Sequence, residues 1–167
     1  MAVINAFVTN NVESKASDTT IAARFSGSII RAIAFNFEVA ASDDDASIYR
    51  ICKLPVTAIP LSLRLANDAI AGLTNPSIGV YKQLEVGGAV IDVDCLMVAA
   101  DLSAGTATLT EKFAPAIADV GKDILSLAGI ADADKVKYGA VDVAITTANG
   151  VTAAGTISGI LLYVEGV

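Results

Sequence analysis

The residues in this chain best equipped for chemistry are carboxylates set close together: Asp43-Asp44-Asp45, Asp92-x-Asp94 and Asp132-x-Asp134. Such spacing offers the hard oxygen ligands that Ca²⁺ takes. None of the runs continues into a D-x-[DN]-x-[DN]-G loop with its distant Glu, and Ser42–Asp45 reads as a solvated turn, so no metal site is assigned. Glycoside hydrolysis needs only two carboxylates, and among 18 acidic residues some pair is inevitable. Sugar cleavage also draws on aromatic platforms, whereas Trp is absent and Tyr49, Tyr81, Tyr138 and Tyr163 stand singly. Gly87-Gly88 lacks a following Lys-Ser or Lys-Thr and opens a strand, so it is no phosphate cradle. There is no His at all. That removes Ser-His-Asp and Cys-His catalysis, imidazole metal ligation and the one side chain that titrates near neutrality unaided. No catalytic residue and no cofactor is assigned, and an enzyme is not expected.

Cys52 and Cys95 are the only cysteines, in no CxxC arrangement and flanked by Ile51 and Leu96. Two free thiols filling apolar space is the favoured reading, because non-secreted domains of this size rarely rely on a disulfide. The opening MAVINAFVTNNVESKA has neither a basic n-region nor an adequate apolar h-region, so maturation in a cytoplasm is expected.

Charge narrows the partners. With 11 basic and 18 acidic residues the net charge is -7, which gives no overall attraction to nucleic acid or anionic lipid. Residues 1–70 carry six basic and seven acidic groups, and 71–167 carry five and eleven. All the arginines (Arg24, Arg31, Arg50, Arg64) fall in the first stretch. Arg suits bidentate contact with carboxylates across an interface, so the N-terminal half is the candidate docking side, with ordinary surface charge as the plainer account.

These side chains must be held by thin, small-residue elements. The chain has 167 residues, 54% hydrophobic but only 5% aromatic, and thirty are Ala; it is long enough to bury one sizeable core. Residues 1–27 show no clean periodicity and read as an extended arm with one strand near Val3–Thr9. From Ile29 the pattern sharpens to period two, with Arg31, Ile33, Phe35, Phe37 and Val39 on one face. Ser42–Asp45 turns the chain, and Ser47–Lys53 resumes as a strand, which predicts a hairpin. Leu61, Leu63 and Leu65 alternate with Ser62, Arg64 and Ala66 after Pro60. Ile78–Lys82 and Ala89–Val93 read as strands. Cys95, Leu96, Val98 and Ala99 predict a short helix capped by Asp92 or Asp94, and Ile117, Val120, Ile124 and Leu127 a second over 116–128, stopped by Gly129.

Val143–Val164 is 22 residues without a charge, long enough to cross a bilayer. Its Thr, Ser and Asn residues argue against insertion, and Asn149-Gly150 predicts a turn between two strands, the second over Ile157–Val164. Bottom-up, residues 28–167 make one β-sandwich domain with short helices in loops.

Several runs together resemble a group of small virion structural proteins of tailed bacteriophages. Ala46-Ser-Ile-Tyr-Arg-Ile-Cys-Lys-Leu-Pro55 continuing to Leu61-Ser-Leu-Arg-Leu-Ala-Asn-Asp-Ala-Ile70 resembles that group's "YR(L/I)xx(V/L)P … LxxxxDAI". Ile78-Gly-Val-Tyr81 followed by Gly87-Gly-Ala-Val-Ile-Asp-Val-Asp94 is similar to "(I/V)GLY … GGAVVDAD", and Ala153-Ala-Gly-Thr-Ile-Ser158 to its "AAGTISLxVxYV" ending. The resemblance runs in order over about residues 29–167. It implies a mainly β fold, a jelly-roll-like antiparallel sandwich with one or two short helices in loops. It implies a capsid decoration or cement protein on the virion surface, made in the host bacterial cytoplasm. Its partners would be the major capsid protein and further copies of itself, a trimer favoured, with no nucleic acid and no membrane. Arg24 and Arg31 are the candidate contact residues. A tail-tube, spike-base or head-fibre component is the nearest alternative, and a carbohydrate-binding sandwich the next. Cys52 and Cys95 stand where the group would have small residues, which raises a cross-link within or between subunits.

Overall fold

The computed structural model describes residues 29–165. They form β1 (Ile30–Val39), β2 (Ile48–Pro55), β3 (Ala58–Asn67), β4 (Ser77–Lys82), β5 (Val90–Met97), β6 (Thr106–Phe113), β7 (Ala140–Thr146) and β8 (Gly155–Glu165). Two helical turns, α1 (Ile124–Leu127) and α2 (Asp132–Lys135), interrupt the β6–β7 connection. The arm over 1–27, its strand near Val3–Thr9 and Arg24 lie outside the described residues.

The strands make two antiparallel four-stranded sheets, in the orders β1-β8-β3-β6 and β2-β7-β4-β5. This is the eight-stranded jelly roll. Its logic is a folded-back ribbon: β1 pairs with β8, β2 with β7, β3 with β6 and β4 with β5, and the ribbon then rolls up so that β3 meets β8 and β4 meets β7. Only the β4–β5 connection stays within a sheet; every other one crosses to the opposite sheet.

Period two decides the inner faces. In β1, Ile33, Phe35 and Phe37 are half-buried and Val39 fully buried, while Ala32, Ala34, Asn36 and Glu38 are exposed. They meet Leu63, Leu65, Ile157 and Leu161 from the same sheet and Leu54, Ile78, Val80, Val141, Val143 and Ile145 from the other. Phe35 lies directly opposite Gly159, and a Cβ there would sit 2.3 Å from its ring and 2.7 Å from the Arg64 carbonyl. The aromatic ring therefore fills the space that a side chain at 159 would need.

Four local readings change. Ser42–Asp45 does turn the chain, but β1 and β2 do not form a hairpin; the turn carries the chain from one sheet to the other. Turn residues encode a reversal, not which sheet receives the next strand. Asp94–Met97 belongs to β5, not to a helix. β5 bulges against β4 between Ile78 and Tyr81, and a bulge shifts side-chain phase in a way that imitates helical spacing. The second helix shrinks to α1, because Gly121 takes φ 84° and Asp123 caps the turn that follows, its carboxylate accepting from the Ser126 N–H at 2.8 Å. Gly129 does lie just past its end, at φ 73°. Asn149-Gly150 sits in a longer loop between sheets, not in a two-residue hairpin turn.

Cys52 is on β2 and Cys95 on β5, the two edges of one sheet with β7 and β4 between them. Three inter-strand spacings put them about 14 Å apart, twice what a disulfide spans. Both thiols are free, and a bridge within one chain is excluded by topology. No helix among the described residues is long and apolar enough to cross a membrane.

Candidate functional site

One cluster that spacing alone does not bring together could pass for a nucleophile and its base. Lys135 Nζ lies 2.7 Å from Asp123 Oδ2 and 2.6 Å from Asp132 Oδ1, and hydrogen-bonds Ser126 Oγ. A cleft of about 270 Å³ opens beside it, lined by Val120, Ser126 and Lys135 among others. A Ser–Lys pair catalyses only if the amine is neutral. Burial works against the ammonium, but hydrogen bonds and charge from Asp123 and Asp132 outweigh it and hold Lys135 above its ordinary pKa. The ammonium cannot take the Ser126 proton. The cluster is a strut that ties α2 to the N-cap of α1.

The acidic runs behave similarly. Asp43 Oδ2 accepts from the Ala40 N–H at 2.9 Å, and the Asp44 carbonyl accepts from Ser47 Oγ and Thr147 Oγ1. Asp132 and Asp134 pair with Lys135 and Lys137. A hydrogen bond to the Asp92 side chain, with burial and the Asp92 charge behind it, raises the Asp94 carboxyl above its usual range. Among the described residues no group of three or more His, Cys, Asp or Glu is placed to hold a metal.

The two ends of the roll differ in the side chains they present. One, the hairpin end, gathers the start of β1, the end of β8, the β2–β3 turn, the β4–β5 hairpin and the β6–β7 connection. The registers Ile30↔Val164, Ile59↔Val164, Pro55↔Ala140 and Lys82↔Val141 link these along one edge. Here Leu84 (66% exposed), Val86 (65%), Val90 (57%) and Val136 (86%) face water. A cleft of about 270 Å³ runs between the hairpin and the segment leading into β7, lined by Lys82, Val86, Lys137 and Tyr138 among others.

A buried hub holds the hairpin in place. Arg50 donates to Asp142 Oδ2 at 2.7 Å, to the Lys82 carbonyl at 3.1 Å and to the Gly88 carbonyl at 3.0 Å. Asp142 also accepts the Leu84 N–H at 3.0 Å. The guanidinium lies over the Tyr81 ring at 5.5 Å, and the Tyr81 hydroxyl bonds Thr146 Oγ1. Arg50 is on the edge strand β2 and Asp142 on the central strand β7, so two neighbouring strands clamp the tip of the β4–β5 hairpin. A planar fork with five donors does this where Lys could not. Lys53 pairs with Glu85 on the rim at 3.0 Å. The Gly87-Gly88 run closes the tip, with φ of 96° and 60°, so its glycines answer a turn and not a phosphate.

The other end, the aspartate end, is made of the loops 40–47, 68–76, 98–105 and 147–154. They hold Asp43, Asp44, Asp45, Asp68 and Asp101 and not one Lys or Arg. These loops are laced together: Val151 N–H to the Asp43 carbonyl, Leu102 N–H to the Leu73 carbonyl, Thr152 N–H to the Ala71 carbonyl, and Asn67 Nδ2 to the Leu102 carbonyl.

Of the two arginines singled out from sequence, Arg31 pairs with Glu165 of its own chain at 2.7 Å on the surface of the hairpin end. Arg50, which sequence reasoning counted but did not single out, proves to be the organising residue. Its signal is faint, one of two basic residues, with Lys53, on a strand of otherwise apolar and aromatic residues.

No family model and no curated protein matches the chain. Among solved structures it is similar to a chain in the capsid of Ralstonia phage GP4, 19% identical, covering 83% of this chain and 86% of that one with a TM-score of 0.57. It is also similar to a chain in the cyanophage Pam1 capsid asymmetric unit, 16% identical, covering 94% and 97% with a TM-score of 0.51. At these identities the likeness is one of fold: the chain is a jelly roll of the kind found in these two phage capsids.

Proposed function

We propose that the protein is a structural component of a tailed-phage virion, and within that class a decoration or cement protein on the outer surface of the head. The reading rests on one observation: the whole described chain is a jelly roll that aligns over more than four-fifths of its length with chains from two phage capsids. A locked Ser126–Lys135 cluster and an exposed apolar end fit a role in adhesion, not turnover. Its partners are the major capsid protein and further copies of itself, with a trimer matching threefold positions of a shell. Residues 1–27 serve as an arm that reaches a neighbour, Arg24 and Arg31 contributing ion pairs. Arg31 can exchange Glu165 for a partner's carboxylate at small cost, since exposed pairs are weak.

The deciding experiment mixes the purified full-length chain with heads of the parent phage prepared without it. Binding at symmetric outer positions in an electron cryomicroscopy map, with heads that resist heat or low salt better than bare ones, is the expected result. Absence of binding sinks the proposal.

A further inference from the structure

We infer that the hairpin end is the docking face, that its occupant is an apolar, carboxylate-bearing surface of the head shell, and that the aspartate end points to solvent. The inference rests on the head-surface reading above and adds the orientation and the chemistry of the contact.

Three independent features converge. The first is apolar exposure. Leu84, Val86, Val90 and Val136 are each more than half exposed at this end, with Val86 lining the cleft, whereas the aspartate-end loops expose Val98 as their large apolar side chain among the described residues. The second is charge. On a chain of net charge -7 the cleft carries Lys82 and Lys137, the second already paired with Asp134, and the hairpin's Glu85 is paired with Lys53, while the opposite end carries five aspartates and no base. A carboxylate-bearing partner is thus repelled from one end and admitted at the other, which orients encounter before contact. The third is where the chain enters. β1 starts at the hairpin end, so residues 1–28 join the sandwich beside this face, and an arm reaching the same partner starts from the right side. Preorganisation strengthens the case: the Arg50–Asp142 hub fixes the hairpin, so little ordering is left to be done on docking.

The test uses the full chain and heads of the parent phage prepared without it. Three proteins are compared: wild type, Leu84→Asp with Val86→Asp, and Asp43→Asn with Asp44→Asn. Head binding, sedimentation and thermal unfolding are measured for each. Leu84, Val86 and Asp44 face water, and Asp43, half-buried, accepts the Ala40 N–H through an oxygen that Asn retains, so all three should melt alike. The expected result is that the hairpin variant binds heads about a hundredfold more weakly, while the aspartate variant binds as wild type does and both keep the wild-type oligomeric state. If wild type binds and the hairpin variant binds equally well, or the aspartate variant is the one that fails, the orientation is wrong and the head-surface reading stands. If the hairpin variant instead falls to monomers, the face is a contact between copies and the inference is overturned. If wild type itself does not bind, the head-surface reading fails and the proposed occupant fails with it.

Discussion

At Arg50 a single guanidinium gathers oxygens from β7, from the end of β4 and from the hairpin tip. Arg50→Ala leaves Asp142, 7% exposed in its side chain, as an unpaired buried carboxylate. The expected cost is about 3–5 kcal/mol, which at this chain length lowers the melting temperature by roughly 10 °C. Asp142→Asn, which can still accept the Leu84 N–H, should cost less; a thermal-unfolding series on the two variants checks the order. The Asp123–Lys135 pair makes a pH prediction. Burial opposes the Asp123 charge, but Lys135 and the Ser126 groups outweigh it and the carboxyl is held below its ordinary range. Its stabilisation is therefore present above the unfolded carboxylate pKa of about 3.9 and is lost as pH falls through the lower folded value. Lys135 is held above its ordinary value, so its share is present below about pH 10.4 and is lost as pH rises through the higher folded value. The melting difference between wild type and Asp123→Asn should be flat from about pH 5 to 10 and shrink on both sides. For the cysteines, burial and nearby aspartates push both thiols up to about 12. Native protein should react sluggishly with a thiol reagent, and two thiols should titrate after unfolding without reductant; fewer than two would reveal a bond between chains.

Among the elements, β4 and β5 are joined too closely to tolerate change. A Cβ on Gly79 would lie 2.1 Å from the Asp92 carbonyl oxygen and 2.4 Å from the Val93 carbonyl carbon. Both are backbone atoms of the β5 bulge. Gly79→Ala should therefore cost at least about 3 kcal/mol, whereas Gly87→Ala, with no atom within 4 Å of the new Cβ, pays only for its left-handed φ. Denaturant midpoints of the two proteins separate these cases. Deleting residues 1–20 should leave the sandwich melting where it does in the full chain while weakening assembly or head attachment; unchanged assembly and attachment would remove the arm from the proposal. The strands themselves were legible wherever one face is wet: β1 alternates cleanly because water meets every second residue, and β3 alternates around its one exposed residue, Arg64, between buried Leu63 and Leu65. β7 was legible as a strand but not as a central one. Asp142 and Ala144 alternate with Val141, Val143 and Ile145, yet both are buried, Asp142 against Arg50, and no local pattern announces a cover supplied from distant elements. The hairpin end stayed hidden for the same reason. Its apolar residues are scattered from 84 to 136, and only the ribbon's fold brings them to one side.

For the molecule as a whole, a trimer is the expected state at micromolar concentration, and a 17 kDa species alone in sedimentation would contradict it. Closed symmetry hides apolar surface without creating open-ended fibres. The ribbon has a further consequence, one of time. β1 finds its partner in β8, the last of the described strands, so β2 to β7 must all emerge before β1 is paired. At about 5–20 residues per second the segment Ile30–Val39, with Phe35 and Phe37 bare, waits on the order of ten seconds after its own synthesis. Non-local pairing of this kind also folds slowly once complete, in milliseconds to seconds. A protein needed in many copies at once would therefore meet its copies while β1 is still unpaired. Yield during expression, more than melting temperature, should be the property most sensitive to substitutions in that strand.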